Sequence, residues 1–236
     1  MADSHDTASI QAFFDGWDLY RRVIAHDYMF HQDIHQAIRV ELLTRKARRI
    51  LDLGCGDASV IAGSLQGLPS PTYTGVDLSP VALQSAEGAL AKAGIPARLV
   101  EDDFLLFLQD SRAADHDVVI AGYSLHHLRE SDVTTFFRAA RWRLAPGGVL
   151  LVYDVIREHE ESREAMLERN HRWRQQTWTS LATEDLAAIW AHVSVSDFPK
   201  SEQELTAYAR EGGFLEQPQK LFEAPTGIHR LYAFPA

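Results

Sequence analysis

"ILDLGCGDAS", Ile50 to Ser59, decides how the rest of the chain is read. It begins as an apolar strand and then crowds Asp52, Gly54, Gly56 and Asp57 into a few residues. Glycine lets a ligand approach the main chain with no Cβ in the way. In open α/β sheets such an approach belongs beyond the carboxyl end of a strand, at the first strand-to-helix turn. Asp77 closes the next apolar run, where an acid can accept hydrogen bonds from two ribose hydroxyls.

Outward from this stretch, short apolar runs alternate with helical stretches. Residues 48–53, 72–78, 96–100, 116–122 and 147–155 read as strands without polar alternation, as expected for strands covered on both faces. Between them, "DASVIAGSLQGL", "SPVALQSAEGALAKAG", "FLLFLQDS" and "SDVTTFFRAARWRLAPGG" read as helical. Ser79 is a natural N-cap with Pro80 at the first turn, and Gly94 suits the C-terminal cap. Ser131 is expected to cap the fourth helix, and Gly147 and Gly148 to turn the chain out of it. The alternation predicts a doubly wound parallel sheet. Residues 157–193 read as helical. Ser201 with Glu204 reads as a capping box. "QKLFEA" and "HRLYAFP" around "PTGI" read as a closing hairpin.

The expected organisation is one structural domain. Residues 1–46 form a helical cap or lid that buries Phe13, Phe14 and Trp17. Residues 47–236 form the core, with 157–200 a helical insert contributing to the cap. At 236 residues a single α/β domain with a cap is the natural size. A formal net charge of −10 argues against a nucleic-acid partner, which would call for a basic surface. Cys55 is the only cysteine, so an intrachain disulfide is excluded and a reducing, cytoplasmic setting is expected. The sequence has no long apolar run and no signal-peptide pattern, so no membrane partner is expected. A monomer or homodimer is expected.

The glycine loop admits two ligands. A dinucleotide pattern needs a third glycine, and Ser59 stands there. Asp52 and Asp57 would also repel a pyrophosphate. They suit a ligand carrying an ammonium and a sulfonium, as S-adenosylmethionine does.

"ILDLGCGDAS", "GVDLSPVAL", "EDDFLLF", "HDVVIAGYSLHHL" and "RLAPGGVLLVYD" together resemble the successive motifs of the class I S-adenosylmethionine-dependent methyltransferases, over roughly residues 48–155. The resemblance implies an α/β fold with a seven-stranded, Rossmann-like sheet whose last strand is antiparallel. It implies S-adenosylmethionine as cofactor and S-adenosylhomocysteine as product. Gly54, Cys55 and Gly56 would run under the methionyl part, Asp52 would organise its amino end, and Asp77 would hold the ribose with Leu78 on the adenine. Asp103 matches the residue that bonds the adenine amine, with Phe104 beside it; Asp102 is the alternative. Ala121, Gly122 and Tyr123 match the loop facing the methionyl group.

Methyl transfer from a sulfonium is an in-line displacement, so positioning and exclusion of water can supply much of the rate. A base is needed only where the nucleophile must lose a proton. His126 and His127 follow the fourth strand and are the candidate catalytic residues, with His126 the candidate base or substrate holder. Tyr20, Tyr28, His31 and His35 recur at near-helical spacing in the cap. Tyr20, Tyr28 and His31 are candidate substrate contacts, with aromatic faces able to attract a sulfonium. Trp173, Trp178 and Trp190 are expected to pack. His159, His171 and His192 show no ligand spacing, and no metal is expected. The expected function is methyl transfer to an O or N atom of a small metabolite. The alternatives are a protein methyltransferase and a cofactor-binding relative without catalysis.

Overall fold

A computed structural model of the chain describes residues 17–110 and 115–236. Phe13 and Phe14 lie outside the described residues, as does the side chain of Trp17. The described chain begins with α1 (Trp17–Ala25) and α2 (His31–Arg45). Strands and helices then alternate: β1 (Arg49–Leu53), α3 (Ile61–Ser64), β2 (Thr72–Asp77), α4 (Pro80–Ala93), β3 (Ala97–Glu101), α5 (Phe104–Asp110), β4 (His116–Gly122), α6 (Glu130–Arg143) and β5 (Leu144–Val155). Helices α7 (Arg163–Thr177), α8 (Thr183–Ser196) and α9 (Glu202–Glu211) precede the hairpin of β6 (Gln219–Glu223) and β7 (His229–Pro235).

The strands form one seven-stranded sheet in the order β3-β2-β1-β4-β5-β7-β6. Strands β1 to β5 are parallel, and β7 runs antiparallel to both of its neighbours. The order reverses between β1 and β4, which opens a crevice at their carboxyl ends. The inner strands feed both faces. Ile50, Val118, Ile120 and Leu151 join one core cluster, while Leu51, Leu53, Val119 and Val152 join the other with Phe136 and Phe137 of α6. This two-sided burial is why the strands show no polar alternation.

Helix α2 presents Ile34, Ile38 and Leu42, all fully buried, to the first of these clusters. Their spacing is that of one helical face. The second half of the expected cap is thus also a layer of the core.

Local signals were read correctly at several ends. Ser79 Oγ accepts from Ala82 N at 3.3 Å, and Gly94 closes α4 at φ 70°. Ser201 and Glu204 form the reciprocal capping box of α9. Three expectations are corrected. Helix α6 starts at Glu130 with Arg129 as the extended N-cap residue, two residues earlier than expected, after the 3-10 turn Leu125–His127; Ser131 lies inside the helix. Gly147 and Gly148 lie within β5, where Gly147 takes φ 77° and the pairing with β4 slips between His116 and Val118. "DASVIAGSLQGL" yields only the single turn α3, since its first residues are spent on the loop and Ala58 sits at φ 50°. Among the described residues no helix is long and apolar enough to cross a membrane.

Candidate active site

The crevice at the ends of β1 and β4 holds a cavity of about 890 Å3, mouth included. The loop after β1 forms its floor. Gly54 takes φ 70°, and a Cβ there would lie 2.8 Å from Ser124 Cβ, so the loop after β4 leaves no room for a side chain. Gly56 takes φ 55° and its N–H donates to Asp77 Oδ2 at 2.8 Å. Asp77 Oδ1 accepts from Ser79 N at 2.9 Å. One carboxylate therefore ties the β1 loop to the start of α4 and still has lone pairs facing the cavity.

Asp52, Asp57, Asp77 and Asp102 line this space together with Gly54, Cys55, Gly56, Leu78 and Phe104. Among the described residues no lysine or arginine lines it. Asp52 is buried and accepts from Tyr73 Oη at 2.7 Å. Burial raises its carboxyl to about 7, against the lowering effect of the Tyr73 bond. Such a set repels a pyrophosphate and fits a cationic ligand.

The roof is aromatic. Tyr20, His31 and His35 of the N-terminal helices meet Tyr123 and Tyr153 of the sheet over the same cavity. His35 Nε2 lies 3.2 Å from Tyr153 Oη, and the His31 and Tyr123 rings meet edge-on at 5.2 Å. Burial lowers His31 to about 4 and His35 to about 3, so both are neutral at pH 7 and neither repels a cation. Gly122 is required here, because any Cβ would overlap the Tyr153 ring.

Residues 51–150 match the family of the methyltransferase domain. The motif order, the seven-stranded topology and this acid-lined crevice agree with that match. The matched segment is similar to a methyltransferase domain. Among its relatives is the ribosomal RNA small subunit methyltransferase C of Pasteurella multocida, 29% identical over 44% of this chain and 31% of that protein. An uncharacterized methyltransferase of Mycobacterium tuberculosis is 24% identical over 78% of this chain and 87% of its own. The fold is shared with human N-acetylserotonin methyltransferase in complex with S-adenosylmethionine, at TM-score 0.61 and 16% identity, covering 96% of this chain and 58% of that one. The chain spans less than half the length of the first curated relatives it matches.

The fold places several expected residues elsewhere. Ala121 is fully buried in the opposite core face and does not line the crevice, because alternate β4 residues point to opposite sides. Asp103 Oδ1 accepts from Leu105 N and Leu106 N, both at 2.9 Å, and so caps α5; Asp102 is the acid on the cavity wall. Tyr28 reaches neither cavity. Its ring stacks on Trp178 at 5.0 Å and its hydroxyl accepts from Ser180 N, so it sets the position of Trp178.

A second cavity of about 590 Å3, opening included, adjoins the first and shares Tyr20, Tyr123 and His127 with it. Val23, Val155, Ile189 and Val193 give it apolar walls, and Trp178 of the insert joins them rather than merely packing. His126 lines this cavity and not the first. Its Nδ1 lies 2.5 Å from Asp154 Oδ1, its backbone N–H donates to Asp154 Oδ2 at 3.0 Å, and its Nε2 lies 3.6 Å from Asp197 Oδ1. Burial opposes a charged ring, but Asp154 and Asp197 outweigh it and hold His126 at about 9. The ring therefore carries its proton at pH 7, which corrects the expectation of a free base there. His127 Nδ1 faces Ser196 O at 3.1 Å.

His126, His127 and Asp197 bring three donor atoms within 4.8 Å of one another. The proton on His126 and the Arg174 guanidinium in the same cavity both oppose a cation there. Asp154, Asp197, Arg174 and Tyr153 were missed in the sequence. Asp154 carried a signal, an acid at the end of a strand, as Asp77 is.

Proposed function

We propose that this methyltransferase moves a methyl group from S-adenosylmethionine to an O or N atom of a small acceptor held in the second cavity. The observation that carries the reading is the contact between the two cavities through Tyr20, Tyr123 and His127. A donor in the first and an acceptor in the second would meet across those side chains. The acid-lined, lysine- and arginine-free crevice fits the charge of this cofactor, and the Gly54 position fits its close approach. When bound, the cofactor supplies an electrophilic methyl on a sulfonium.

The residues divide the work. Asp77 and Asp102 hold the nucleoside end. Asp52 holds the amino end, and the neutral rings of Tyr20, His31 and Tyr123 surround the sulfonium. Helices α1, α7 and α8 act as the cap that excludes water and shapes the acceptor cavity. Where the acceptor must lose a proton, Asp197 accepts it. Burial raises this carboxyl, opposed by His126 and Arg174, and Oδ1 has no hydrogen-bond partner among the described residues. His126 supplies the positive charge that steadies Asp197 and is itself fixed by Asp154.

Titration calorimetry with S-adenosylmethionine, S-adenosylhomocysteine and NAD tests the cofactor. The two sulfur compounds should bind and NAD should not; binding of NAD alone would overturn the reading. Release of S-adenosylhomocysteine in the presence of a pool of small phenols, amines and acids then tests transfer.

A further inference from the structure

Arg174 is a cost to the apo fold that the methyl-transfer reading does not use. It sits on α7, 6% exposed, and lines the second cavity. Among the described residues its Nε and Nη1 have no hydrogen-bond partner. Trp178, one turn further and 3% exposed, lines the same cavity with an unpartnered Nε1. The Arg174 guanidinium lies over the Trp178 ring, 5.4 Å from its centroid. A buried arginine normally takes a carboxylate or several carbonyls, because the charge and its N–H groups lose water on burial. Asp197 attracts it through space, but that carboxylate is turned to His126 and His127, each 3.6 Å from Oδ1. Among the described residues, three buried N–H groups on two side chains that line this cavity thus have no acceptor.

We propose that the acceptor is a carboxylic acid with a compact apolar body, whose carboxylate is bound by Arg174 and Trp178. A guanidinium can offer paired N–H groups to the two oxygens of a carboxylate, which a lysine cannot do. The indole N–H adds a third donor. The body lies against Val23, Val155, Ile189 and Val193, and the carboxylate fixes which end of the acceptor faces Tyr123 and the first cavity. The inference rests on the second cavity being the acceptor site.

Hydroxybenzoates and hydroxyphenylacetates, each beside its primary amide, are titrated into the intact protein with and without S-adenosylhomocysteine. The acids should bind about tenfold or more tightly than the amides, the worth of one charge-assisted hydrogen-bond pair. Arg174→Gln should erase this preference and leave S-adenosylhomocysteine affinity within about twofold. Should that variant not fold, Arg174→Lys decides: it keeps the charge but not the paired donors, and acid affinity should fall about tenfold. Equal binding of acids and amides, no binding of any acid, or a preference that survives these substitutions overturns the proposal. Failure of S-adenosylhomocysteine to bind the parent protein would instead strike the cofactor reading, and the two failures are read separately.

Discussion

Asp77 accepts the Gly56 N–H at 2.8 Å, so the end of β2 holds the loop that follows β1. The acid expected to bind the ribose is also the tether of the glycine loop. Asp77→Ala should therefore do two things. It removes the ribose acceptor, lowering S-adenosylhomocysteine affinity by at least tenfold, as the loss of bonds to a charged group implies. It also strands the Gly56 and Ser79 N–H groups, at about 1–3 kcal/mol each where they stay dry. Asp77→Asn keeps an oxygen for one of them and should be the milder variant in urea denaturation. Calorimetry that found the affinity of Asp77→Ala unchanged would remove the ribose assignment.

Gly54→Ala should be worse than Cys55→Ala. At φ 70° an alanine is strained by about 1–2 kcal/mol, and its Cβ would press on Ser124 Cβ at 2.8 Å. Ser124, which lines the first cavity, must then move. Cys55 is buried, and its truncation should cost about 1 kcal/mol with the loop in place. Cofactor affinity and thermal midpoint of the two variants, measured side by side, check the order.

Asp52 sets a pH dependence on cofactor binding. Its folded value of about 7 lies above the ordinary carboxyl value, so the folded protein binds a proton there that the unfolded chain gives up near pH 4. Stability from this group is lost as pH rises from about 4 to 7 and is level above that. An ammonium placed beside it favours the ionised form, so cofactor affinity should weaken as pH falls below 7, with proton release on binding near neutrality. Asp52→Asn should abolish that proton release and bind cofactor poorly. Its melting temperature should equal the parent's near pH 4 and exceed it above pH 7. Calorimetry in buffers of differing ionisation enthalpy reads the proton directly.

His126 carries the opposite sign. Its folded value of about 9 exceeds the unfolded value near 6.5, so its contribution to stability is full below about pH 6.5 and is lost as pH rises through 9. His126→Asn should destabilise by on the order of 3 kcal/mol at pH 6 and far less at pH 10. The pH–rate profile separates the two proton acceptors. With Asp197 as acceptor, the rate falls on the acid side, where its carboxyl takes up a proton. With His126 as acceptor, the rate would climb toward pH 9. Asp197→Asn should lower kcat by roughly a hundredfold or more if the acceptor must be deprotonated, with little effect on cofactor affinity.

The sheet and the cofactor crevice were legible in the chain because their signals are local. "LDLGCGD" is strand, turn and acid within a few residues, and its glycines sit where positive φ and close approach demand them. Ser79, Gly94 and the Ser201–Glu204 pair mark helix ends by bonds spanning three or four residues. Which of Asp102 and Asp103 faces the cavity was not legible. Both can cap a helix, and only the direction in which α5 leaves β3 puts Asp103 on its N-terminal N–H groups.

The acceptor cavity was decided by tertiary packing alone. Tyr20 and Val23 of α1, Met29 after it, His126 after β4, Arg174 and Trp178 of α7 and Asp197 at the end of α8 come from segments far apart in sequence. Arg174 and Trp178 stand one turn apart, but nothing in that spacing announces the cavity they line. The same distance explains His126. A histidine after a strand reads as a base near its ordinary pKa, but Asp154 lies 28 residues on, and with Asp197 further still the two acids hold its proton at neutral pH. Charge–charge energies in a buried site depend on separation in space, and no spacing in the sequence encodes that separation.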